Sequence, residues 1–231
     1  MIGILGGTFD PPHWGHIRLA LNFIEKLGLD ELIWLPAGQP WQKSQQITPS
    51  AIRYALTQAA ISDLEALLQE KGIAIPISIS RIELDRHGPS YTIDTAKVLR
   101  ELYGPTTSLV WLMGADSYKN IRTWNNWEEL PDYLHLAVAN RPISQANNES
   151  NTPELVLPEL KKRLTKDVKD LQNQASGRVF FDDLFHVDLS STQIRTELQD
   201  NLEETTLLKA ISPRVLELIY SLGIYQKNSG L

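Results

Sequence analysis

"MIGILGGTFDPPHWGHIRLALNFIEKLGLDELIWLP", residues 1–36, decides the fold. Met1 to Leu5 is a short apolar run stopped by Gly6-Gly7, which reads as a buried strand followed by a turn. From Gly15 the period changes. Ile17, Ala20, Leu21, Ile24 and Leu27 share one helical face, with Arg18, Asn22, Glu25 and Lys26 opposite. Gly28 is placed to close that helix. "LIWLP" (32–36) is a second short apolar run, ended by proline. Strand, helix, strand is a βαβ unit, which predicts a parallel sheet with a right-handed crossover.

The alternation continues outward. Thr48-Pro49 reads as an N-cap with proline at the first helical position, opening a helix through Ile52, Leu56 and Ala59. A further amphipathic piece spans Asp63 to Lys71. "IPISISRIEL" (75–84) reads as a strand. Ser90 or Thr92 is expected to cap a helix through Val98, Leu99 and Leu102, ended by Gly104. "SLVWLMG" (108–114) and "HLAVANRP" (135–142) read as buried strands. "RVFF" and "FHVDL" come next, then a helix from Thr192 and another from Pro213 to Leu222. The expected architecture is α/β: a Rossmann-like open parallel sheet with helices on both faces, plus a small C-terminal helical part. One domain is expected over residues 1–231, interrupted at about 144–177 by a polar stretch rich in Asn, Gln, Lys and Ser. That stretch reads as an inserted surface loop and solvated helix.

With 231 residues and 42% hydrophobic content, the chain can bury one sizeable core. The net charge of -6 argues against a nucleic-acid partner, because phosphate-backbone affinity rests on clustered Lys and Arg. A nucleotide stays open, since it needs only a few local cations. There is no cysteine, which excludes disulfides, thiolate catalysis and Cys-ligated zinc. No apolar run reaches a membrane span, so no membrane partner is expected. "MIGILGG" lacks the basic start and long core of a signal peptide, and a cytoplasmic location is the expectation.

Ligands of open parallel sheets sit beyond the carboxyl ends of the strands, where helix N-termini offer backbone N–H groups. Gly6 and Gly7 stand at such an end and permit close backbone approach, with the Thr8 hydroxyl beside them. Pro11-Pro12 fixes the chain direction into the helix. His13 precedes the helix and His16 lies in its first turn, so both imidazoles can meet a phosphate. The G-x-G-x-x-G fingerprint and the Walker A loop are both absent, which sets aside an NAD-dependent oxidoreductase. His13 and His16 without a third nearby ligand are a weak zinc signal, and no protein-held metal site is expected. A second constellation is "DLSSTQIRTEL" (188–198). Ser190, Ser191 and Thr192 are successive hydroxyls at an expected helix start, with Arg195 one turn on. Dipole, donors and cation together make an anion site. Alone, Thr192 as a cap and a surface arginine would account for it. Beside the histidines, it reads as the opposite wall of a triphosphate cleft.

"GGTFDPPHWGH" followed far downstream by "SSTQIR" resembles the nucleotidyltransferase superfamily with the H-x-G-H signature, and within it the bacterial nicotinate-nucleotide adenylyltransferase family. "GPSYTIDT" (88–95), "LMGADSYKNIRTW" (112–124), "NRP" (140–142) and "SPRVLELIYSLGIY" (212–225) match that family's remaining blocks in order. The resemblance implies that ATP and nicotinate mononucleotide are converted to deamido-NAD and pyrophosphate, with Mg²⁺ carried on the ATP phosphates. It implies catalytic roles for His13, His16, Lys43 and Arg195. Gly6, Gly7, Thr8, Phe9, Gly114, Asp116, Arg141, Ser190, Ser191 and Thr192 join His13, His16 and Arg195 in holding ATP. Thr8, Lys43, Ser90, Tyr91, Thr92 and Trp124 hold the mononucleotide, the indole stacking on the pyridine ring. Two departures stand out. Gln42 occupies the position where the family usually has histidine, within Pro40-Trp41-Gln42-Lys43, and the 144–177 stretch is inserted. The insertion could alter oligomer contacts, and a homo-oligomer is left open. The rival readings are an enzyme using nicotinamide mononucleotide and, in a different class, a catalytically silent nucleotide sensor.

Overall fold

The computed structural model describes residues 1–40, 47–139, 156–183, 189–200 and 202–226. Seven strands of the described residues form one sheet, with parallel pairings throughout: β1 (Ile2–Gly7), β2 (Glu31–Pro36), β3 (Ile77–Ile79), β4 (Leu109–Gly114), β5 (His135–Ala139), β6 (Leu164–Thr165) and β7 (Val179–Asp182). Their order is β3-β2-β1-β4-β5-β7-β6. The α-helices of the described residues are α1 (Trp14–Leu27), α2 (Ser50–Glu70), α3 (Thr92–Tyr103), α4 (Ala115–Lys119), α5 (Leu130–Tyr133), α6 (Val168–Gln172), α7 (Ser191–Gln199), α8 (Glu204–Leu207) and α9 (Pro213–Leu222). None is long and apolar enough to cross a membrane.

Strand periodicity divides the core in two. Leu32 and Trp34 of β2 and Val110 and Leu112 of β4 join one cluster with α1, α2, α7 and α9. Ile33, Leu35, Leu109, Trp111 and Met113, the alternate residues, join the other with α3, α4 and α5. Both faces are therefore covered, which is why the strands read as unbroken apolar runs.

The strand order reverses at β1, which pairs with β2 on one side and β4 on the other. The two ladders end at different heights. β1 follows β2 as far as Gly7↔Pro36, but leaves β4 after Leu5↔Leu112. Met113 and Gly114 then pair only with β5. The sheet thus splits at the carboxyl ends of β1 and β4, and a crevice opens at the point where such folds bind ligands.

Several expected boundaries move. The glycines do not turn the chain; β1 runs through both of them. A Cβ on Gly6 would lie 2.2 Å from the Trp111 indole, and one on Gly7 2.7 Å from the Phe9 ring, so close ring packing demands glycine inside the strand. Thr48 does not cap α2, which starts after Pro49 and runs unbroken through both pieces expected from the sequence. Thr48 is engaged elsewhere, its carbonyl by Arg53 and its hydroxyl by Tyr225. The strand expected over 75–84 shrinks to Ile77–Ile79, because only Leu32–Trp34 offer it a partner. Neither Ser90 nor Thr92 caps α3; Tyr91 is the N-cap residue and no side chain bonds there. Thr192 does not cap α7 either, since Ser190 holds that position. Residues 144–155 lie outside the described residues. In the rest of that stretch most residues are exposed or half-buried, but Leu160 and Leu171 are buried, and β6 adds an edge strand to the sheet. "FHVDL" lies outside the described residues except for its last leucine.

Candidate active site

The crevice holds a cavity of about 680 Å³. One wall is the strand-to-helix connection after β1. Gly6, Gly7 and Thr8 contribute the strand end, and His13, Gly15 and His16 the start of α1. His13 is itself the N-cap of α1. Its Nδ1 accepts the Gly15 N–H at 3.1 Å, and the His16 Nδ1 accepts the His13 N–H at 3.2 Å. This is a capping box built from two imidazoles where Ser or Thr with Glu would be usual. With each Nδ1 accepting, the neutral rings carry their proton on Nε2. The rings stack at 3.9 Å between centroids, 35° apart in plane, and Phe9 braces His16 edge-on at 5.0 Å. His13 is buried and His16 half-buried.

A second part of the lining comes from the start of α7, where Leu189 and Ser190 reach the cavity. That helix is tied to the first wall. Ser191 Oγ donates to the Pro11 carbonyl at 2.9 Å, and Arg195 Nη1 to the Asp10 carbonyl at 2.6 Å. Arg195 Nη2 also reaches the Thr192 hydroxyl at 3.4 Å. The imidazoles and the guanidinium therefore belong to one bonded assembly, although 180 or more residues separate the segments. The N-termini of α1, α3 and α7 converge here, and each brings a fractional positive charge to one space.

The floor and far end come from β4 and the residues just beyond its end. Trp111, Met113, Gly114 and Asp116 line this side, with Asn120, Trp124 and Asn125 farther along. Ser90 and Thr92 enter from the start of α3, together with Pro40 and Glu83. Ser90 serves as a clamp, its Oγ accepting the N–H groups of Gly38 and Gln39 at 3.0 and 3.1 Å. Glu83 is 4% exposed and accepts the Thr95 hydroxyl at 2.8 Å. Burial pushes its carboxyl above the usual range, against the opposing pull of Thr95, Arg86, Ser90 and Arg53.

Of the expected residues, Gly6, Gly7, Thr8, His13, His16, Ser90, Thr92, Gly114, Asp116, Trp124 and Ser190 meet at this cavity. Phe9 does not. Its backbone is in the left-handed region (φ 52°) and its ring is buried against Gly7, His16 and Trp34, below the cavity rather than on its wall. Tyr91 packs its ring against the core on the α3 side, and its carbonyl accepts from Thr95. Ser191, Thr192 and Arg195 stand immediately behind Ser190, the first and last of them bonded to the loop after β1. Lys43 and Arg141, and Gln42 with them, lie outside the described residues.

Sequence reasoning missed Asp10, Arg53, Glu83 and Tyr225. Arg53 is 1% exposed and ties three segments together: Nε donates to the Thr48 carbonyl at 2.9 Å, Nη1 to Thr8 at 2.8 Å and Nη2 to Gly38 at 3.0 Å. Its position was a usable signal, because Arg53, Leu56, Thr57, Ala60 and Leu64 share the buried face of α2. An arginine on an apolar stripe must find partners. Among the described residues no three His, Cys, Asp or Glu side chains are grouped to hold a metal ion.

The cytidylyltransferase-like family matches residues 4–197. A protein of Herminiimonas arsenicoxydans named probable nicotinate-nucleotide adenylyltransferase is 35% identical over 207 residues, 90% of each chain. One of Aeromonas hydrophila with the same name is 35% identical over 97% of each chain. Among solved structures, Plasmodium falciparum nicotinic acid mononucleotide adenylyltransferase complexed with NaAD superposes with a TM-score of 0.68 at 18% identity, covering 97% of this chain and 96% of its own. That last likeness is one of fold.

Proposed function

This chain belongs to the cytidylyltransferase-like family, and on that premise we propose that it transfers the adenylyl group of ATP to nicotinate mononucleotide. The products are deamido-NAD and pyrophosphate. One observation carries the reading: the crevice between β1 and β4 is lined by the paired imidazoles and by Ser190 at the start of α7, a helix that Ser191 and Arg195 bond to the loop after β1.

A phosphate oxygen of the mononucleotide attacks the α-phosphorus of ATP, a new P–O bond forms, and the bond from the α-phosphorus to the bridging oxygen breaks. The electron pair leaves with pyrophosphate. The attacking phosphate monoester is already anionic near neutrality, so no side chain needs to deprotonate it. The barrier is one anion approaching another, and catalysis is positioning plus charge stabilisation on an in-line path. We assign His16 as the donor to the reacting α-phosphate and His13 as its neighbour on the triphosphate, each through Nε2–H. Gly6 and Gly7 let the backbone approach the nucleotide, and Thr8 serves both substrates. Ser190, Ser191, Thr192 and Arg195 hold the β- and γ-phosphates, and Lys43 neutralises charge over the cleft and serves the mononucleotide. Gly114, Asp116 and Arg141 serve the adenosine end. Ser90, Tyr91 and Thr92 receive the pyridine carboxylate, and Trp124 stacks on the ring. A divalent cation, Mg²⁺ in our reading, arrives with the triphosphate as part of the substrate. We place the reaction in the cytoplasm.

The test is steady-state product formation from MgATP with each pyridine mononucleotide. Deamido-NAD formed at higher kcat/KM than NAD is expected. Equal efficiency would defeat the preference for nicotinate, and no product from either would defeat the adenylyltransfer reading.

A further inference from the structure

Asp10 lies between Thr8 and the His13 cap and is 3% exposed, yet no step of the proposed reaction uses its carboxylate. Distant segments meet on it. The Tyr225 hydroxyl donates to Oδ1 at 2.5 Å, and the Thr48 N–H to Oδ2 at 3.4 Å. Thr48 Oγ1 in turn donates to the Tyr225 oxygen at 3.1 Å. Arg195 bonds the Asp10 backbone carbonyl at 2.6 Å, while its guanidinium stays 4.0 Å from the carboxylate. Tyr225 keeps its backbone in the left-handed region at φ 61°, which a bulky residue holds only where its surroundings over-determine it. Tyr225 is half-buried, and burial with donation to Asp10 holds its hydroxyl well above the ordinary phenol range.

We propose that Tyr225 is a positioning residue for adenylyl transfer: by occupying the Asp10 carboxylate, it keeps that carboxylate from capturing Arg195 and fixes the segment that ends at His13. Carboxylate and guanidinium pair bidentately when nothing else holds them. At 4.0 Å from Oδ2, Arg195 Nη1 makes only a long ion pair and no bidentate contact, while the phenol holds the other oxygen, Oδ1, and with it the orientation of the carboxylate. Without the phenol, Asp10 would turn toward Arg195, draw the guanidinium from the triphosphate and pull the Pro11–His13 turn with it. The block "SPRVLELIYSLGIY" thereby gains a mechanical role, delivering Tyr225 across 215 positions to the loop after β1.

The inference rests on the proposed reaction, and its test separates the two. In Tyr225→Phe, kcat is expected to fall about tenfold with the KM of the mononucleotide within about twofold. One lost hydrogen bond should move the melting temperature by no more than about 4 °C. In the Asp10→Asn background, where a neutral amide cannot capture arginine, the same Tyr225→Phe change should alter kcat by less than about twofold. Amide exchange at His13 and Gly15, the N–H groups bonded to imidazoles, should quicken in Tyr225→Phe. That readout needs no substrate, so a wild-type protein inert toward both mononucleotides would overturn the reaction and leave the clasp to be judged by exchange. Unchanged exchange, an unchanged kcat, or equal loss of kcat in both backgrounds overturns the proposal.

Discussion

Replacing Arg53 by Met tests how the crevice is held open. Methionine fills most of the same space but donates nothing, so the carbonyls of Thr8, Gly38 and Thr48 lose their bonds to the guanidinium together. A buried acceptor left without a partner costs about 1–3 kcal/mol. The low end applies, since Gly38 and Thr48 border a cavity that water can enter. Three carbonyls at about 1 kcal/mol each give a loss of about 3 kcal/mol. Burial already disfavours the charged guanidinium, as its lowered pKa shows, and removing that charge returns part of the loss. A net destabilisation of about 2 kcal/mol remains, which for a chain of this size lowers the melting temperature by roughly 4–8 °C. Thermal unfolding followed by circular dichroism measures it. Arg53→Lys, which can reach one or two of the carbonyls, should fall between Met and wild type. A Met variant melting within about 2 °C of wild type would refute the reasoning, because the three bonds would then carry no net stability.

Other outcomes rest on the same geometry. His16→Ala should lower the rate of pyrophosphate release by several orders of magnitude with modest loss of ATP binding, measured by stopped-flow and titration; near-normal turnover would remove its transition-state role. Trp124→Ala should raise the KM of the mononucleotide far more than that of ATP, and the reverse pattern would place the pyridine ring elsewhere. Gly6→Ala sets a methyl against the Trp111 indole and should destabilise by about 1–3 kcal/mol, with activity falling too because both residues line the cavity. Glu83 has a raised pKa, so the folded state binds a proton more tightly than the unfolded chain does, and stability is lost as pH rises above the ordinary carboxyl range near about 4.3. Glu83→Gln should therefore flatten the decline of stability with rising pH in denaturant titrations; an unaltered slope would mean that Glu83 ionises without penalty.

The fold was legible because its signals are local. Leu32–Pro36 and Leu109–Gly114 are apolar runs too short for helices, and α1 shows its stripe and its Gly28 stop openly. The misreadings share a cause: side chains that local rules assign to caps were committed to distant partners. Thr48 answers to Arg53 and Tyr225, and Ser90 to Gly38 and Gln39, so neither opens its helix. Gly6 looks like part of a turn because the ring that requires its bare backbone, Trp111, lies more than a hundred residues on, while Gly7 yields to the Phe9 ring, which only the left-handed backbone of Phe9 brings back onto it. The alternation of Ile in 75–84 promised more strand than the neighbouring β2 could pair. At the site, Gly6, Gly7, His13, His16, Ser90, Trp124 and Ser190 were readable as parts of motifs, whereas Glu83, which also lines the cavity, was not. The groups that brace them, Asp10, Arg53 and Tyr225, were not, because their meaning depends on which loops come together.

The joint between Asp10-Pro11 and residues 191–225 also bears on how the protein is made. β1, α1 and β2 can pair and pack soon after they leave a ribosome, yet Ser191, Arg195 and Tyr225 reach the first loop only across separations of 180, 185 and 215 positions. Long-range closures of that kind are slow and come late in folding. A nascent chain halted before residue 190 would display the paired histidines without the helix that closes on their loop, so competence waits for residues 191–225 to emerge instead of accumulating along the way.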